Sequence, residues 1–434
     1  MLRREFLGSA GMAIGATALS SASLPAVAKE DTLQPIGASD WPALRDMFPL
    51  TRDYIHLSTF LLTSHPAPVS REIEKHRRAF DENPADYLHE HYRSIDMQIA
   101  QSAANYMGGD WTQIALTDST TMGSAMVYSG LQVNPGDEML QTTHDHYSTD
   151  MSLSHKAERS GAVVKRVALY DNPAEVSVAQ CQQRLKQGIT NKTRVVAVTW
   201  VHSSTGVKLP IKALSEVVNA ANSARDEADQ IVFCVDGVHG FGIEDQDVSQ
   251  LGCDFFIAGT HKWIFGPRGT GVIWGNDKAW GRSVPVIPSF SASFAVWLGQ
   301  MPLSEVPNGM HFTPGGFHSF EHRWALPAAF ELHQQLGKAN VQSRIHTLNT
   351  QTKEGLAAMS HVELYTPMTA ALSSGLVCFD VAGMKPDEVV KRMHEKGIIM
   401  SSTPYRQSYA RFAPSLLNNE AEIDQALAEI RAMA

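Results

Sequence analysis

The chain has 434 residues, enough for a large and a small domain, and 43% of them are hydrophobic and 19% charged. This composition is typical of a globular protein and excludes a largely disordered one. The net charge of −9, without a clustered basic run, argues against nucleic acid as a partner, because phosphate neutralisation needs grouped Lys and Arg.

The first 28 residues are typical of an export signal. Arg3 and Arg4 precede a weakly apolar stretch rich in Gly, Ala and Ser, and residues 26–28 (AVA) fit a small-residue cleavage site. Paired arginines with mild hydrophobicity favour the twin-arginine route over an ordinary secretory signal or a disordered tail. We therefore expect export through the twin-arginine translocase and a mature chain that begins near Lys29 in a bacterial periplasm. Past this segment, no apolar run is long enough to predict a membrane span.

Short apolar runs alternate with helix-length amphipathic segments over residues 110–275. The runs are QIAL (113–116), EMLQTT (138–143), VVKRVAL (163–169), RVVAVTWV (194–201), QIVFCVDG (230–237), DFFIAG (254–259) and GVIWG (271–275). Apolar strands separated by helices predict an α/β fold with a parallel sheet covered on both faces. Ligands bind such sheets at the carboxyl ends of the strands, so the chemistry is expected in the residues that follow them.

The pattern changes in the last quarter of the chain, where a turn and a long helical stretch precede a strand candidate at 373–383 and two further helices. Mixed short strands and helices of this kind predict a small α+β domain. We place a large domain at 56–310 and the small C-terminal domain at 311–434, with the segment 29–55 packing on the small domain.

Two residues after adjacent predicted strands suggest a cofactor. Lys262 lies in GTHKWIFGPRGTG (259–271), between apolar residues and a glycine-rich run. Burying an ammonium ion is costly, so this position suits an amine that loses its proton and attacks a carbonyl. Asp236 ends the preceding apolar strand, where a helix cap or turn former is the alternative. A carboxylate facing a pyridinium nitrogen and a lysine that forms a Schiff base are the two groups that pyridoxal 5'-phosphate (PLP) needs.

The phosphate and the ring of such a cofactor need further partners. Three hydroxyls lie where the first apolar strand gives way to a helix: Ser119, Thr120 and Thr121. Helix N-termini bind phosphate, and capping alone explains one hydroxyl better than three. After the next strand come His144, His146 and Tyr147, any of which would stack on a flat ring. The H-D-H triplet also suggests a metal site, which we hold as a minor interpretation because no further ligand cluster accompanies it.

The four cysteines form no C-x-x-C pair and so predict neither a zinc site nor a redox motif. Cys234 and Cys378 lie in apolar runs, which favours buried thiols. A disulfide formed in the periplasm stays open as an alternative.

Taken together, the motifs resemble the class V aminotransferases, a family of fold type I PLP-dependent enzymes that includes cysteine desulfurases, kynureninases and isopenicillin N epimerase-like proteins. The resemblance covers roughly residues 50–430. It is carried, in order, by Thr120-Thr121, the D-H segment, SSTGVKLPI (203–211), VDGVHGFG (235–242), GTHKWIFGPRGTG and Arg411. It implies a large domain with a mainly parallel sheet, a smaller α+β C-terminal domain, and a PLP-dependent aminotransferase-like enzyme.

The resemblance also implies roles for single residues. Lys262 would hold PLP and shuttle the substrate α-proton, Asp236 would pair with the pyridine nitrogen, and His239 lies where the family often has a glutamine near the ring hydroxyl. The phosphate would be held by Thr120, Thr121 and His261, and the ring would be stacked by His146, with Tyr147 as the alternative.

Two implied roles concern the substrate and a second subunit. Arg411 would bind a substrate carboxylate through a bidentate pair, with a surface ion pair as the alternative. Family members usually form the active site between two subunits, so we expect a homodimer in which Thr270 completes the site of the partner.

The chain departs from the family in two places. Cysteine desulfurases carry a loop cysteine shortly before the carboxylate-binding arginine, and the corresponding GIIMSSTPYRQSYARF has none, which disfavours persulfide chemistry. TPGGFHSFEHRWAL stands where the family usually has a glutamate-glycine-threonine segment. We expect residues 315–318 of this segment to reshape the substrate pocket.

A twin-arginine signal on this fold resembles the exported periplasmic PLP enzymes that tailor pyoverdine siderophores. By that resemblance the substrate is an amino-acid residue, such as a glutamate, of a peptide siderophore. An aminotransferase or epimerase of free amino acids is one alternative. A non-catalytic PLP-retaining binding protein is another, against which the presence of both Lys262 and Asp236 argues. The sequence leaves transamination, racemisation, decarboxylation and oxidation open.

Overall fold

The computed structural model describes residues 37–92, 94–290 and 293–434. The predicted export signal at 1–28 therefore lies outside the described residues. In the described ranges the strands are β1 Ile55–His56, β2 Ile114–Thr117, β3 Glu138–Thr142, β4 Val163–Val167, β5 Thr193–Thr199, β6 Val232–Asp236, β7 Phe255–Gly259, β8 Gly271–Gly275, β9 Val362–Leu364, β10 Val377–Val381, β11 Ile398–Ile399, β12 Ser401–Ser402 and β13 Ala410–Phe412.

The helices of the described part vary from short turns to the long α15. They are α1 Trp41–Asp46, α2 Ala67–Glu82, α3 Pro84–His91, α4 Ile95–Met107, α5 Thr120–Gly130, α6 Tyr147–Ser160, α7 Val178–Gly188, α8 Ile211–Asn222, α9 Val248–Leu251, α10 Asp277–Gly281, α11 Ser293–Trp297, α12 Asn308–Phe312, α13 Phe320–Trp324, α14 Leu326–Leu336, α15 Lys338–Ala357, α16 Pro386–Glu395 and α17 Glu420–Arg431.

The predicted parallel sheet is confirmed as a seven-stranded sheet in the order β2-β8-β7-β6-β5-β3-β4. Each of the seven apolar runs overlaps one of its strands. The neighbours from β4 to β7 pair in parallel, whereas β8 runs antiparallel to both β7 and β2. The central strands β6 and β7 are buried along their whole length, as expected for parallel strands with helices on both faces.

Alternation along β5 divides the core of this sheet into two layers. Val196 and Val198 point into the cluster that includes residues of α4, α8 and α14, while Val195 and Ala197 point into the cluster formed with α5, α6 and α10. Successive side chains of a strand face opposite sides of a sheet, so a continuous apolar run supplies both cores.

The C-terminal part builds a second, smaller sheet in the order β12-β13-β10-β9, with antiparallel pairing throughout. One face packs with α15, α16 and α17 into a third apolar cluster. The short strand β1 pairs in parallel with β11 of this region. The predicted boundary between residues 310 and 311 stays a prediction.

All four cysteines are buried and unpaired. Within the described ranges, no helix combines the length and the apolar character needed to cross a bilayer.

Candidate active site

A cavity of about 140 Å³ opens at the carboxyl ends of β5, β6 and β7. Eight of the nine predicted site residues line it, namely Thr120, Thr121, His146, Asp236, His239, His261, Lys262 and Arg411. Seven of the eight follow or end strands of the large sheet, as the strand-end rule predicts. Arg411 reaches the cavity from β13 of the smaller sheet.

Lys262 lies in a tight turn that follows β7. Its carbonyl accepts hydrogen bonds from Phe265 N at 3.1 Å and from Thr63 Oγ1 at 3.0 Å. Phe265 has a φ of 57°, a left-handed conformation that is strained for a residue with a side chain. Burial, assisted by the nearby Arg411, lowers the pKa of Lys262 to about 8 against the opposing effect of Asp236. About a tenth of the amines are then neutral at pH 7, against less than about one in a thousand for an ordinary lysine.

Asp236 is the last residue of β6, and it is 2% exposed. Burial raises the pKa of its carboxyl to about 6, while the N–H of Val238, which donates to Oδ1 at 3.1 Å, and the neighbouring Lys262 act in the opposite direction. The carboxylate is thus still mostly ionised at neutral pH, in a buried position where a cation such as a protonated ring nitrogen is a suitable partner.

The N-terminus of α5 forms one wall of the cavity. Ser119 caps the helix by accepting from Met122 N at 3.1 Å, and Thr120 Oγ1 accepts from Gly259 N at 2.8 Å. A Cβ on Gly259 would lie 2.9 Å from His261 Cε1 and 3.2 Å from Thr120 Oγ1. The bare backbone at this position therefore allows the histidine, the hydroxyl and the helix end to meet, a donor set that fits a phosphate.

The three candidates for ring stacking lie in different places. His146 lines the cavity, and its Nδ1 is 2.8 Å from Ser148 Oγ. Tyr147 is 65% exposed and does not line the cavity. His144 stacks on Tyr170 at a centroid distance of 3.8 Å. Of the three, only His146 is placed to stack on a ring inside the cavity. The described residues contain no cluster of three or more His, Cys, Asp or Glu side chains suited to a metal.

Arg411 is held rigidly against the cavity. It is 1% exposed, and its guanidinium lies 4.6 Å from the centre of the Phe60 ring. Nη1 donates to the carbonyl of Ser203 at 2.6 Å, and Nε donates to Ser401 Oγ at 3.1 Å. This burial excludes the alternative of a surface ion pair.

Thr270 is the predicted residue that lies outside the cavity. Its Oγ1 is 2.6 Å from Thr260 Oγ1 and donates to the carbonyl of Pro267, and the residue is 2% exposed. Within this chain Thr270 therefore closes the loop of residues 260–270, which carries Lys262. Its contribution to a partner's site stays a prediction.

Residues 315–318 do not line the cavity that contains Lys262, so the expectation that they reshape the substrate pocket stays a prediction. They line a second, aromatic cavity of about 260 Å³ instead. The backbone turns at Gly316, where φ is 106°, and Phe317 is 82% exposed.

Several lining residues were not predicted. Phe60 and Leu61 come from the loop after β1, and no local pattern connects that loop with a cofactor site. Thr199 ends β5, and Ser203 follows it at the start of the SSTG motif. Both positions come at or just after a predicted strand, so their place at the end of β5 is the sequence signal that could have identified them.

The sequence model described as Aminotransferase class-V matches residues 63–406, which is most of the chain. The chain belongs to the class V aminotransferase family. Among its relatives, it is 25% identical over 358 residues to isopenicillin N epimerase of Streptomyces clavuligerus, covering 79% of this chain and 85% of that protein. It is 22% identical over 364 residues to a probable cysteine desulfurase of Pyrococcus abyssi, covering 83% and 86%.

Solved structures of other proteins show the same fold as this chain. The C-DES enzyme, in a variant with glycine covalently linked to its PLP cofactor, superimposes with a TM-score of 0.78 at 22% identity, covering 89% of this chain and 98% of that one. A cysteine desulfurase of Thermococcus onnurineus gives 0.75 at 20% identity, covering 90% and 97%. The fold is that of fold type I PLP-dependent enzymes, and the protein is a PLP-dependent enzyme of class V, whose residues fit the cofactor as described above.

Proposed function

We propose that the enzyme acts in the bacterial periplasm on a glutamate residue of a pyoverdine-type siderophore, with PLP held by Lys262. The convergence of Lys262, Asp236 and Arg411 on one cavity supports the amino-acid chemistry. The location and the siderophore rest on the arginine pair in residues 1–28 and on the resemblance to exported siderophore-tailoring enzymes.

Each of these side chains has its own task in the proposed reaction. When bound, PLP supplies a protonated pyridine ring that draws electrons from the substrate α-carbon. Asp236 keeps that ring nitrogen protonated, and Lys262 takes and returns the proton at the α-carbon, since its lowered pKa makes it a base near neutral pH. Arg411, already fixed by two hydrogen bonds, binds the substrate carboxylate without losing side-chain entropy.

The positions of the cysteines argue against desulfurase activity. Each of the four is buried, and none lines the cavity. Cys378 lies inside β10 with 0% exposure, and burial raises the pKa of its thiol to about 12. No thiolate is thus available to take up sulfur from a substrate.

The covalent link between Lys262 and PLP is the first point to test. We expect the purified mature protein to show a band near roughly 410–430 nm, because a lysine–cofactor Schiff base absorbs there. Lys262→Ala and the charge-retaining Lys262→Arg are both expected to lose the band. A band that persists in both variants would assign the cofactor to another amine.

Substrate identity is tested by the spectral response of the same protein. We expect the band to shift when a glutamate-bearing pyoverdine precursor is added and to remain unchanged with free glutamate, and mass spectrometry should then find the precursor altered at that residue. A shift with free glutamate alone would support an aminotransferase or epimerase of free amino acids instead.

Export is tested on the full-length chain. Replacing Arg3 and Arg4 by lysine should leave the protein in the cytoplasm, because the twin-arginine translocase reads the arginine pair as an address. Cell fractionation measures the outcome. If the lysine variant still reached the periplasm, while removal of residues 1–28 kept the protein in the cytoplasm, an ordinary secretory route would be indicated.

A further inference from the structure

Both ring nitrogens of His239 have a defined neighbour. Nε2 lies 3.2 Å from Lys262 Nζ, and Nδ1 accepts a hydrogen bond from Trp263 Nε1 at 3.2 Å. His239 is 3% exposed, and the indole of Trp263 is buried beside it. One histidine thus connects the cofactor-bearing lysine to the residue that follows it in the chain.

The indole contact fixes the position of the proton on His239. An indole N–H donates only, so Nδ1 must carry the free lone pair. Burial, together with the cationic Lys262 and Arg411 and the neighbouring His146 and His261, keeps the pKa of His239 well below its usual range. The ring is therefore neutral, and its single proton lies on Nε2, directed at Lys262.

We propose that Trp263 is a positioning residue that holds His239 in the neutral Nε2–H form and thereby favours the unprotonated, nucleophilic amine of Lys262. An Nε2–H group donates to the lone pair of a neutral amine but has no lone pair of its own for an ammonium N–H. The opposite tautomer would accept from the ammonium and stabilise it. Asp236, the carboxylate near Lys262, likewise favours the ammonium form of Lys262 and raises its pKa.

The surroundings of Trp263 leave its ring little freedom. A Cβ at Gly375 would lie 2.7 Å from Trp263 Cη2, and a Cβ at Gly242, where φ is 94°, would lie 2.7 Å from the Trp263 carbonyl carbon. The Phe60 ring stacks on the indole with centroids 5.9 Å apart and planes 13° apart. This packing directs the indole N–H at His239 and keeps it there.

The proposal is tested with Trp263→Phe, which keeps an aromatic ring and removes the N–H. Nitrogen-15 spectra of the histidines in the apoprotein, assigned with His239→Gln, report which ring nitrogen is protonated. We expect a protonated Nε2 in the wild type and a mixed or reversed tautomer in the variant. We also expect the pH midpoint of PLP attachment to the apoprotein to rise by about one unit, so that attachment below the midpoint slows about tenfold.

Trp280→Phe is the matched control, since it removes an indole N–H bond to the carbonyl of Gln113, at 3.1 Å, away from the cavity. An unchanged tautomer and midpoint in Trp263→Phe would overturn the proposal, as would a protonated Nδ1 in the wild type, even where the variant does not fold. The proposal rests on the proposed role of Lys262, but the tautomer is read in the apoprotein. If Lys262→Ala still attached PLP, the role of Lys262 would fail while the His239 result still stood.

Discussion

Asp236, the proposed partner of the cofactor's ring nitrogen, carries a cost in stability. Its carboxyl is buried, and its pKa is raised to about 6 in the folded protein, above the value of about 3.9 that an exposed aspartate has. A raised carboxyl pKa means that the folded state binds the proton more tightly than the unfolded state. The contribution to stability is therefore fully present below about pH 4 and is lost as the pH rises through about 6.

The raised pKa of Asp236 predicts how Asp236→Asn changes stability with pH. The apoprotein of the variant should be more stable than the wild type at pH 7, by up to about 3 kcal/mol, with the difference disappearing near pH 4, because the amide has no charge to desolvate. Denaturant unfolding at both pH values measures this. Turnover should fall at least about a hundredfold, since a neutral amide does not stabilise a protonated ring nitrogen. An apoprotein destabilised equally at both pH values would contradict the assignment.

A buried carboxyl group joins the two strands β3 and β5 behind the cavity, and burial raises its pKa to about 7. Asp145, whose side chain is 1% exposed, accepts from Thr142 N at 2.7 Å and from Thr199 N at 2.8 Å. These residues end β3 and β5, and His146 follows Asp145 directly. Asp145 thus holds two strand ends in register next to His146, which lines the cavity.

We expect Asp145→Ala to destabilise the apoprotein by about 2–6 kcal/mol, because two buried backbone N–H groups lose their acceptor at about 1–3 kcal/mol each. Asp145→Asn keeps one acceptor oxygen and should cost less. Urea unfolding of the two variants gives the comparison. Equal losses for both would mean that the oxygen kept by asparagine accepts from neither backbone N–H, and would contradict this role of Asp145.

At the scale of the molecule, several exposed aromatic side chains lie around the aromatic cavity. Phe290, Phe294 and Phe317 line that cavity and are 47%, 53% and 82% exposed, and Trp297, at 77%, stacks on Phe294. An apolar cluster of this kind usually marks an interface. We propose that a second copy of the chain covers it in a homodimer, as the family resemblance implies.

Light scattering on the purified protein is expected to give about twice the mass of one chain. The double substitution Phe294→Ser and Phe317→Ser should shift the equilibrium towards the monomer, whereas Val163→Ser, on the edge strand β4, should not, although Val163 is similarly exposed at 52%. A wild-type monomer at high concentration would rule the dimer out.

The sequence determined by itself the elements and the chemical identity of the site. Apolar runs of strand length predicted the strands of the large sheet, because strands buried on both faces require continuous apolar residues. The edge strand β4, which contains Lys165 and Arg166, is the partly exposed exception. Lys262 and Asp236 were recognisable since strand ends of one parallel sheet meet at one edge.

Only the tertiary structure decided which neighbours complete the site. The tertiary structure brings His146 into the cavity, buries Thr270 against Thr260 and places Trp263 against His239. These contacts depend on side-chain directions that the spacing of residues in the sequence does not record. Phe60 reaches the cavity from a loop about two hundred residues before Lys262. Local patterns describe a residue's own element, whereas these contacts are fixed by the packing of distant segments against one another.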